Sequence, residues 1–348
     1  MNQPLPLKNF ERLHDVENFD VLNIPDQNDT GYILEVDLNY PSTLHDNHSD
    51  FPLAPEMKIP PNCLEKRLLA TLYDKEKYII HYRNLKQYVQ LEMKISKIHR
   101  ILQFEQTPFL KPYVDLNTSL RQKATTEFQK NFFKLMNNSI FGKTMESIRR
   151  RANIRICCNE KKAEKLTAQS NFVDRTLFSE NLAAFEMRKA ILPFNNPITI
   201  EMAILDVSKI LMYDFHCNFM KSKYKNNLKL LYTDTDSLIY DVETEDIFVD
   251  IKNNIEYFDT SDYPENIYFI PRINKKNLGK MKDEAKGKLI TEFAWLRSKV
   301  YSYKVEEEEA TKKSKGIKKS VIDRKIQFTV YKTCLFENKE LLTKMIVI

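Results

Sequence analysis

A short acidic turn between two apolar runs is the sequence feature that most constrains how this chain folds. The segment Lys229–Val242 reads Lys-Leu-Leu-Tyr-Thr-Asp-Thr-Asp-Ser-Leu-Ile-Tyr-Asp-Val and predicts a tight β-hairpin with Asp234 and Asp236 at its tip. In extended structure, residues two positions apart point to one face, so both carboxylates can approach one hard cation such as Mg²⁺. Ordinary turn chemistry is the open alternative, because aspartate is common in turns.

A second carboxylate follows another apolar strand. The segment Gly31–Leu38 predicts a strand with Asp37 at its end, and a proline-rich loop over 41–61 follows it. If this strand and the hairpin are neighbours in one sheet, Asp37 reaches the hairpin tip, where two metal ions about 4 Å apart can be shared. The alternative is that Asp37 is a cap or turn residue.

A segment with a cationic helix face lies between these two acidic segments. Lys130, Lys134 and Asn138 are spaced i, i+4, i+8 and share one helix face, and Phe141 continues that face. Such a face matches a nucleoside triphosphate that is held by lysines while its base stacks near the aromatic ring. The alternative is an amphipathic helix whose lysines face solvent.

Positive charge is concentrated in one part of the chain. Between Leu120 and Lys165 the sequence contains twelve Lys or Arg residues and four Glu residues, although the net charge of the whole chain is only +6. The run Arg149, Arg150, Arg151 lies within this segment. Such a concentration suits a protein that holds a polyanion, whereas a solvated charged helix is the alternative.

Several classes of protein are excluded by what the sequence lacks. It has neither a G-x-G-x-x-G nor a G-x-x-x-x-G-K-[ST] loop, and its five cysteines form no C-x-x-C pair. No apolar stretch approaches the roughly 18 residues that span a bilayer, and the first ten residues lack a signal pattern. The sequence therefore predicts an intracellular, soluble protein with no membrane partner. It leaves the oligomeric state and the compartment open, with the nucleus as one candidate.

Local patterns predict the remaining secondary structure coarsely. The helix that carries Lys130 is predicted to begin at a cap within 117–119 and to end at Gly142. The other predictions are a hairpin or strand pair over Leu68–Tyr82, a helix over Leu85–Gln103, a less regular region that follows the basic stretch Arg149–Lys165 and ends near Pro197, a helix over Met202–Phe219, helix and loop over Asp250–Pro271, strands over Lys288–Val305, and a turn or domain edge at the charge blocks Glu306–Glu309 and Lys312–Lys319.

Four motifs occur in one order along the chain. They are Asp37 with Tyr40-Pro41-Ser42, then Lys134-x-x-x-Asn138-Ser139-x-Phe141-Gly142, then Tyr232-x-Asp234-Thr235-Asp236-Ser237, then Lys299-Val300-Tyr301. In this order they resemble the first palm motif, the fingers motif, the second palm motif and the Lys-x-Tyr motif of family B DNA polymerases. The resemblance is strongest to the protein-primed phage and Polinton/Maverick transposon branch of that family.

The resemblance implies an α+β fold: a right-hand polymerase palm with an antiparallel sheet, helical fingers, two insertions and a partial thumb. It also implies a polymerase core cut at both ends, with no exonuclease domain in this chain. The implied divisions are a first palm part over 1–61, an insertion resembling the terminal-protein region over 62–116, the fingers helix over 117–149, a second insertion over 150–198, a second palm part over 199–305 and the partial thumb over 306–348.

The resemblance also implies roles for single residues. Asp37 and Asp236, with the carbonyl of Leu38, would ligate two Mg²⁺ ions, for which Mn²⁺ can substitute, and Asp234 would support this catalytic site. The residues implied in nucleotide binding are Tyr40, which packs on the sugar, together with Lys130, Lys134, Asn138 and Phe141. The residues implied in primer and DNA binding are Lys299 and Tyr301, to which the charge pattern adds Arg149, Arg150 and Arg151.

The implied function is that of a DNA-directed DNA polymerase, a nucleotidyltransferase of DNA replication. It would add deoxynucleotides to a primer 3′-hydroxyl on a DNA template by two-metal chemistry, with a terminal protein as an alternative primer. Two other hypotheses stay open. One is a truncated, inactive relic of a mobile element that binds nucleic acid without catalysis, and the other is a metal-dependent nuclease that uses the same aspartates.

Overall fold

The computed structural model describes residues 1–193, 195–265, 267, 269–306, 308–337 and 339–340, and it describes the backbone but not the side chain of Arg150. The predicted partial thumb over 306–348 therefore lies partly outside the described residues. The chain divides into two compact units, the first made of Met1–Asn9 with Glu105–Leu205 and the second of Phe10–Phe104 with Asp206–Ile348. No helix in the described ranges is long and apolar enough to cross a membrane.

The strands are β1 (Leu5–Leu13), β2 (Thr30–Asn39), β3 (Glu56–Lys58), β4 (Arg67–Leu69), β5 (Lys75–His81), β6 (Lys94–Thr107), β7 (Asn153–Cys157), β8 (Phe172–Ser179), β9 (Leu182–Met187), β10 (Leu228–Asp234), β11 (Ser237–Val242), β12 (Phe258–Asp259), β13 (Met281–Lys282), β14 (Ile290–Arg297), β15 (Val300–Val305) and β16 (Thr311–Ser314). The α-helices are α1 (His45–His48), α2 (Tyr82–Gln90), α3 (Lys111–Lys123), α4 (Glu127–Thr144), α5 (Glu160–Thr167), α6 (Ile198–Tyr213), α7 (Ser222–Tyr224), α8 (Ile247–Asn253), α9 (Lys319–Lys325) and α10 (Phe328–Glu337). The segment Asp214–Lys221 between α6 and α7 is a π-helix, and short 3₁₀ turns occur at Ser42–Leu44, Ile148–Arg150, Lys225–Asn227 and Ile255–Tyr257.

Strand β2 lies inside a four-stranded sheet of order β1-β6-β2-β5, and the predicted strand over Gly31–Leu38 is confirmed. Leu34, Val36 and Leu38 are buried in the largest core of the second unit. The antiparallel register to β5 shifts between Val36 and Leu38, so two β5 residues lie opposite Asp37. A β-bulge of this kind re-aims side chains and is frequent beside active sites.

The segment over 68–103 differs from its prediction. Strand β4 pairs with β3 and strand β5 pairs with β2, so the predicted strand pair over Leu68–Tyr82 is wrong. The predicted helix over Leu85–Gln103 is wrong in its second half, because α2 ends at Gln90 and β6 begins at Lys94. Glu92 adopts a left-handed φ of 71° there, which breaks the helix. The isoleucines that mimic helical spacing lie on β6, which pairs with β2.

The rest of the second unit carries the acidic hairpin. The predicted hairpin over Lys229–Val242 is confirmed as β10 and β11, and the predicted strands over Lys288–Val305 are confirmed as β14 and β15. The charge blocks predicted to mark a turn or domain edge contain turns at Glu306 and at Lys315–Gly316, but the second block begins on β16, which pairs with β15. The first lysines of the basic block therefore belong to the sheet that carries the Lys-x-Tyr motif.

The first unit is more regular than predicted. Instead of one long helix from 117–119, helices α3 and α4 are separated at Ala124–Thr126, and Thr126 caps α4 in a capping box with Gln129. The predicted cap residue Asn117 is buried inside α3. The less regular region predicted between Lys165 and Pro197 is wrong where β8 and β9 form, since these strands make an antiparallel sheet with β7 whose core, around Phe185, packs against α5.

Candidate active site

The tip of the β10–β11 hairpin is a two-residue turn, Thr235–Asp236, closed by the pairing of Asp234 with Ser237. Thr235 has a left-handed φ of 41°, which is strained for a β-branched residue and is typical of functional sites. Asp236 is exposed and makes no side-chain hydrogen bond or ion pair within the described chain. The expectation that extended geometry directs Asp234 and Asp236 to one face does not apply, because Asp236 is a turn residue.

The hairpin tip is joined to the Lys-x-Tyr motif. Lys299 lies in the tight turn between β14 and β15, and its Nζ is 3.4 Å from Asp234 Oδ1. Its backbone N–H donates a hydrogen bond to the Tyr232 hydroxyl at 3.2 Å, and the rings of Tyr232 and Tyr301 lie 4.7 Å apart. Burial, followed by the neighbouring Tyr232, raises the pKa of Tyr301, so its hydroxyl stays protonated. Two motifs that lie about 60 residues apart in sequence therefore form one cluster.

A cleft of about 370 Å³ opens beside this cluster. Its lining is dominated by lysines from the turn before β15, from β16 and from the start of α9, with a tyrosine and two aspartates. The lining residues are Asp234, Lys299, Tyr301, Lys312, Lys313, Ser314, Lys315, Lys319, Ile322 and Asp323. Several lysines around one concave surface attract a polyanion such as a phosphodiester backbone.

The lysines at 312, 313, 315 and 319 were not predicted as site residues. The sequence signal was present as a charge block, but a block of like charge is usually a solvated tail or edge. Strand β16 places Lys313 opposite Tyr301 and Ser314 opposite Val300, which brings the block to the Lys-x-Tyr motif. That register depends on long-range strand pairing and is invisible in the local pattern.

Asp37 is a half-buried carboxylate with two protein contacts. The backbone N–H of Lys77 donates to Oδ1 at 2.8 Å, and His99 Nε2 lies 2.8 Å from Oδ2. The Lys77 amide, followed by His99, holds the pKa of Asp37 below its usual value. Asp37 is therefore ionised at neutral pH, as a metal ligand must be, but a metal ion would have to compete with the His99 contact for Oδ2.

The donor set fits Mg²⁺ in chemistry but does not form a closed cage. Carboxylate oxygens are the ligands that Mg²⁺ prefers, and Asp236 is free of other partners within the described chain. In the part of the chain that the structure describes, no group of three or more His, Cys, Asp or Glu side chains could hold a metal ion. The Mg²⁺ site expected at Asp37, Asp236 and the Leu38 carbonyl therefore stays a prediction.

Tyr40 is a core residue. It is 3% exposed, its hydroxyl lies 2.9 Å from His48 Nδ1, and the backbone N–H of Leu53 donates to that hydroxyl at 3.2 Å. Burial raises the pKa of Tyr40 to about 12 and lowers that of His48 to about 4. Contact between this ring and a sugar would require the segment with His48 and Leu53 to move, so the role predicted for Tyr40 stays a prediction.

The predicted nucleotide-binding residues of the first unit lie on α4, as the spacing indicated. Lys134 and Asn138 are exposed and Phe141 is half-buried, whereas Lys130 forms an ion pair with Glu127 at 2.8 Å. Within this fully described helix no residue is buried. The face is thus open to a ligand, and its role in nucleotide binding stays a prediction.

The arginine run follows α4. Arg151 forms an ion pair with Glu146, which also contacts Lys143, and these two cations lower the pKa of Glu146 to about 2. Arg149 is exposed and has an interaction of its own, and the side chain of Arg150 lies outside the described residues. Part of the positive charge predicted to bind DNA is therefore neutralised within the chain.

No protein-family model matches this chain, and no curated protein matches it in sequence. Solved structures of a DNA polymerase match it in three dimensions. One is phi29 DNA polymerase complexed with primer-template DNA, a post-translocation binary complex, with a TM-score of 0.51, 14% sequence identity, and coverage of 94% of this chain and 49% of that chain. Another is phi29 DNA polymerase in an orthorhombic crystal form, with a TM-score of 0.52, 14% identity, and coverage of 95% of this chain and 50% of that chain.

The fold of this chain is similar to that of a DNA polymerase. The chain spans about half the length of the solved polymerase. The expected relation to DNA polymerases is confirmed for the fold, since the match covers nearly all of this chain. The transposon branch, the palm and fingers divisions and the roles of single residues stay predictions.

Proposed function

We propose that this chain catalyses template-directed DNA synthesis by transferring nucleotides from deoxynucleoside triphosphates to a primer 3′-hydroxyl. The observation that carries the proposal is the contact of the acidic hairpin with Lys299 and Tyr301 beside a cleft lined with lysines. It occurs in a fold similar to that of a polymerase solved with primer-template DNA. A carboxylate tip next to a polyanion-binding surface is what nucleotidyl transfer requires.

Within this proposal the described residues have distinct tasks. Lys299 and Tyr301 hold the primer end, and the lysines of β16 continue the cationic surface along the sugar–phosphate backbone. Asp234 is oriented by Lys299 and supports the turn that presents Asp236. Lys130, Lys134, Asn138 and Phe141 on α4 bind the incoming nucleotide.

Asp37, Asp236 and the carbonyl of Leu38 would hold Mg²⁺. When bound, the metal would activate the primer hydroxyl and stabilise the charge on the leaving pyrophosphate. Asp37 contributes an ionised carboxylate at a β-bulge, and Asp236 contributes an exposed carboxylate at a two-residue turn. We further propose primer-template DNA and deoxynucleotides as partners, with a terminal protein as an alternative primer.

The test is primer extension by the purified chain with Mg²⁺, deoxynucleotides and a labelled primer-template. We expect extension by the parent chain and at least a ~10³-fold lower rate for Asp236→Asn, which keeps the shape of the side chain but removes its charge. DNA affinity should be retained in this variant. Asp241→Asn is the matched control, because Asp241 is an exposed aspartate on β11, away from the turn.

The outcomes separate the competing hypotheses. Equal extension by Asp236→Asn and the parent would contradict the role given to the hairpin tip. DNA binding without extension by the parent would indicate an inactive relic, and shortening of the labelled strand without nucleotides would indicate a nuclease. The same assay with Mn²⁺ in place of Mg²⁺ tests the expected substitution.

A further inference from the structure

The segment Asp214–Lys221 forms a π-helix, an element that is rare in proteins. Its hydrogen bonds run from residue i to i+5, and such segments are frequent at functional sites. His216 and Lys221 are five residues apart, which in an α-helix would place their side chains about 140° apart around the axis. In the π-helix they share one face, and both side chains reach the same partner, Asp50.

Asp50 is a half-buried carboxylate that both of these side chains approach. Lys221 Nζ lies 2.8 Å from Oδ1, and Nε2 of the fully buried His216 lies 3.5 Å from Oδ2. Burial alone would raise the pKa of Asp50, but His216 and Lys221 reverse this and hold it well below its usual value. Lys221 also donates a hydrogen bond to the Asn47 carbonyl.

The same π-helix packs against the acidic hairpin. Phe215, Phe219 and Met220 form a core with residues of β10 and β11. His216 Nδ1 lies 3.0 Å from the Tyr240 hydroxyl of β11, and the two rings are parallel with centroids 5.8 Å apart. One face of the element therefore contacts Asp50 while the adjoining side supports the strands that carry Asp234 and Asp236.

The segment around Asp50 is in turn tied to the end of β2. The Tyr40 hydroxyl, three residues after Asp37, contacts His48 and accepts the N–H of Leu53. On the other side of this segment, the Tyr213 hydroxyl donates to the Pro52 carbonyl at 3.0 Å. A continuous series of contacts thus runs from the strand of Asp37 through the segment 47–53 and the π-helix to the hairpin.

We propose that Asp50, His216 and Lys221 are positioning residues that hold the end of β2 and the β10–β11 hairpin in one fixed relation. The proposal rests on the proposed function, since it assigns these residues to the spacing of Asp37 from the hairpin aspartates. None of the three is assigned to substrate. They act through the two elements that they join, and the π-helix is what brings both the Lys221 and the His216 side chain to one carboxylate.

The first test measures extension kinetics of Asp50→Asn and Lys221→Met. Loss of an interaction that orients ligands typically costs about 10- to 100-fold in activity or metal affinity, so we expect kcat to fall by that factor. The Mg²⁺ concentration for half-maximal extension should rise, whereas the dissociation constant for primer-template DNA and the KM for deoxynucleotides should stay within about twofold. Lys221→Arg, which keeps the charge, should restore most of kcat.

The matched control is Lys223→Met. Lys223 forms an equally short ion pair, 2.7 Å from Asp250, on the continuation of the same helix, and in the described residues no ion pair joins it to the segment 47–53. We expect its kcat and Mg²⁺ dependence to equal those of the parent. Equal losses in Lys223→Met and Lys221→Met, or no loss in Lys221→Met, would overturn the proposal. Lys221→Met carries the test if Asp50→Asn does not fold.

A second readout does not depend on activity. Amide hydrogen exchange of the full chain should become faster in β10, β11 and the end of β2 in Lys221→Met, and should stay unchanged there in Lys223→Met. Unchanged exchange in both variants would overturn the proposal. If the parent chain fails to extend primers, the proposed function fails, but the exchange experiment still decides whether these residues couple the two elements.

Discussion

Removal of two lysines from the cleft should weaken DNA binding by an amount that follows from counterion release. Lys313 and Lys315 flank Ser314, are exposed, and line the cleft beside Lys299 and Tyr301. Each phosphate contact contributes about 0.9 to the slope of log K against log salt concentration, so loss of both should reduce that slope by about 1.8. At 0.1 M salt this corresponds to about eightfold per contact and about 60-fold for Lys313→Ala/Lys315→Ala.

The assay is fluorescence anisotropy with a labelled primer-template duplex at several salt concentrations. The control is Lys94→Ala/Lys229→Ala, which removes the same charge from exposed lysines that lie outside the cleft. Its slope should equal that of the parent. If the cleft variant keeps the parent slope, or if both variants lose the same amount, the cleft does not hold the phosphate backbone and the positive charge acts only as a general field.

Three further predictions concern stability. Thr126→Ala removes the capping box of α4 and should lower the free energy of unfolding by about 1 kcal/mol in urea melts, whereas Thr125→Ala should have a smaller effect, and equal effects would contradict the cap. Tyr40→Phe leaves His48 and the Leu53 N–H without their shared partner and should cost about 1–3 kcal/mol, so an unchanged melt would argue against a core role for this hydroxyl. Burial lowers the pKa of His48 to about 4 and that of His81 to about 3, whereas a histidine in the unfolded chain has a pKa of about 6.5. Between these pH values the unfolded chain binds more protons than the folded chain, so the free energy of unfolding should fall as the pH is lowered from about 6.5 to 4. A free energy that stays constant over this range in the parent and in His81→Phe would refute this assignment.

Elements with strong local patterns could be predicted from the sequence. The hairpin over Lys229–Val242 combines two apolar runs with a two-residue polar turn, and both strands form where they were expected. The strand that carries Asp37 is likewise specified by its own apolar residues. The four motifs indicated a polymerase-like fold, which the structural comparison confirms at that level.

Where two local interpretations compete, the tertiary structure decided. The isoleucines of β6 fit helical spacing, but the segment forms a strand because its pairing with β2 packs these side chains in the largest core of the second unit. The α3–α4 break depends on a cap at Thr126 that competes with equally plausible caps at 117–119. Such choices depend on partners that are distant in sequence.

For the acidic hairpin, the sequence by itself determined the turn, the two aspartates at its tip and the apolar strands that carry it. The tertiary structure decided what surrounds that tip: Lys299 beside Asp234, the β16 lysines along the cleft, and the π-helix behind the strands. The physical reason is range. Alternation and turn chemistry act over a few residues, whereas strand register and the partners of a buried carboxylate are set by whichever distant segments bury the most surface with their polar groups satisfied.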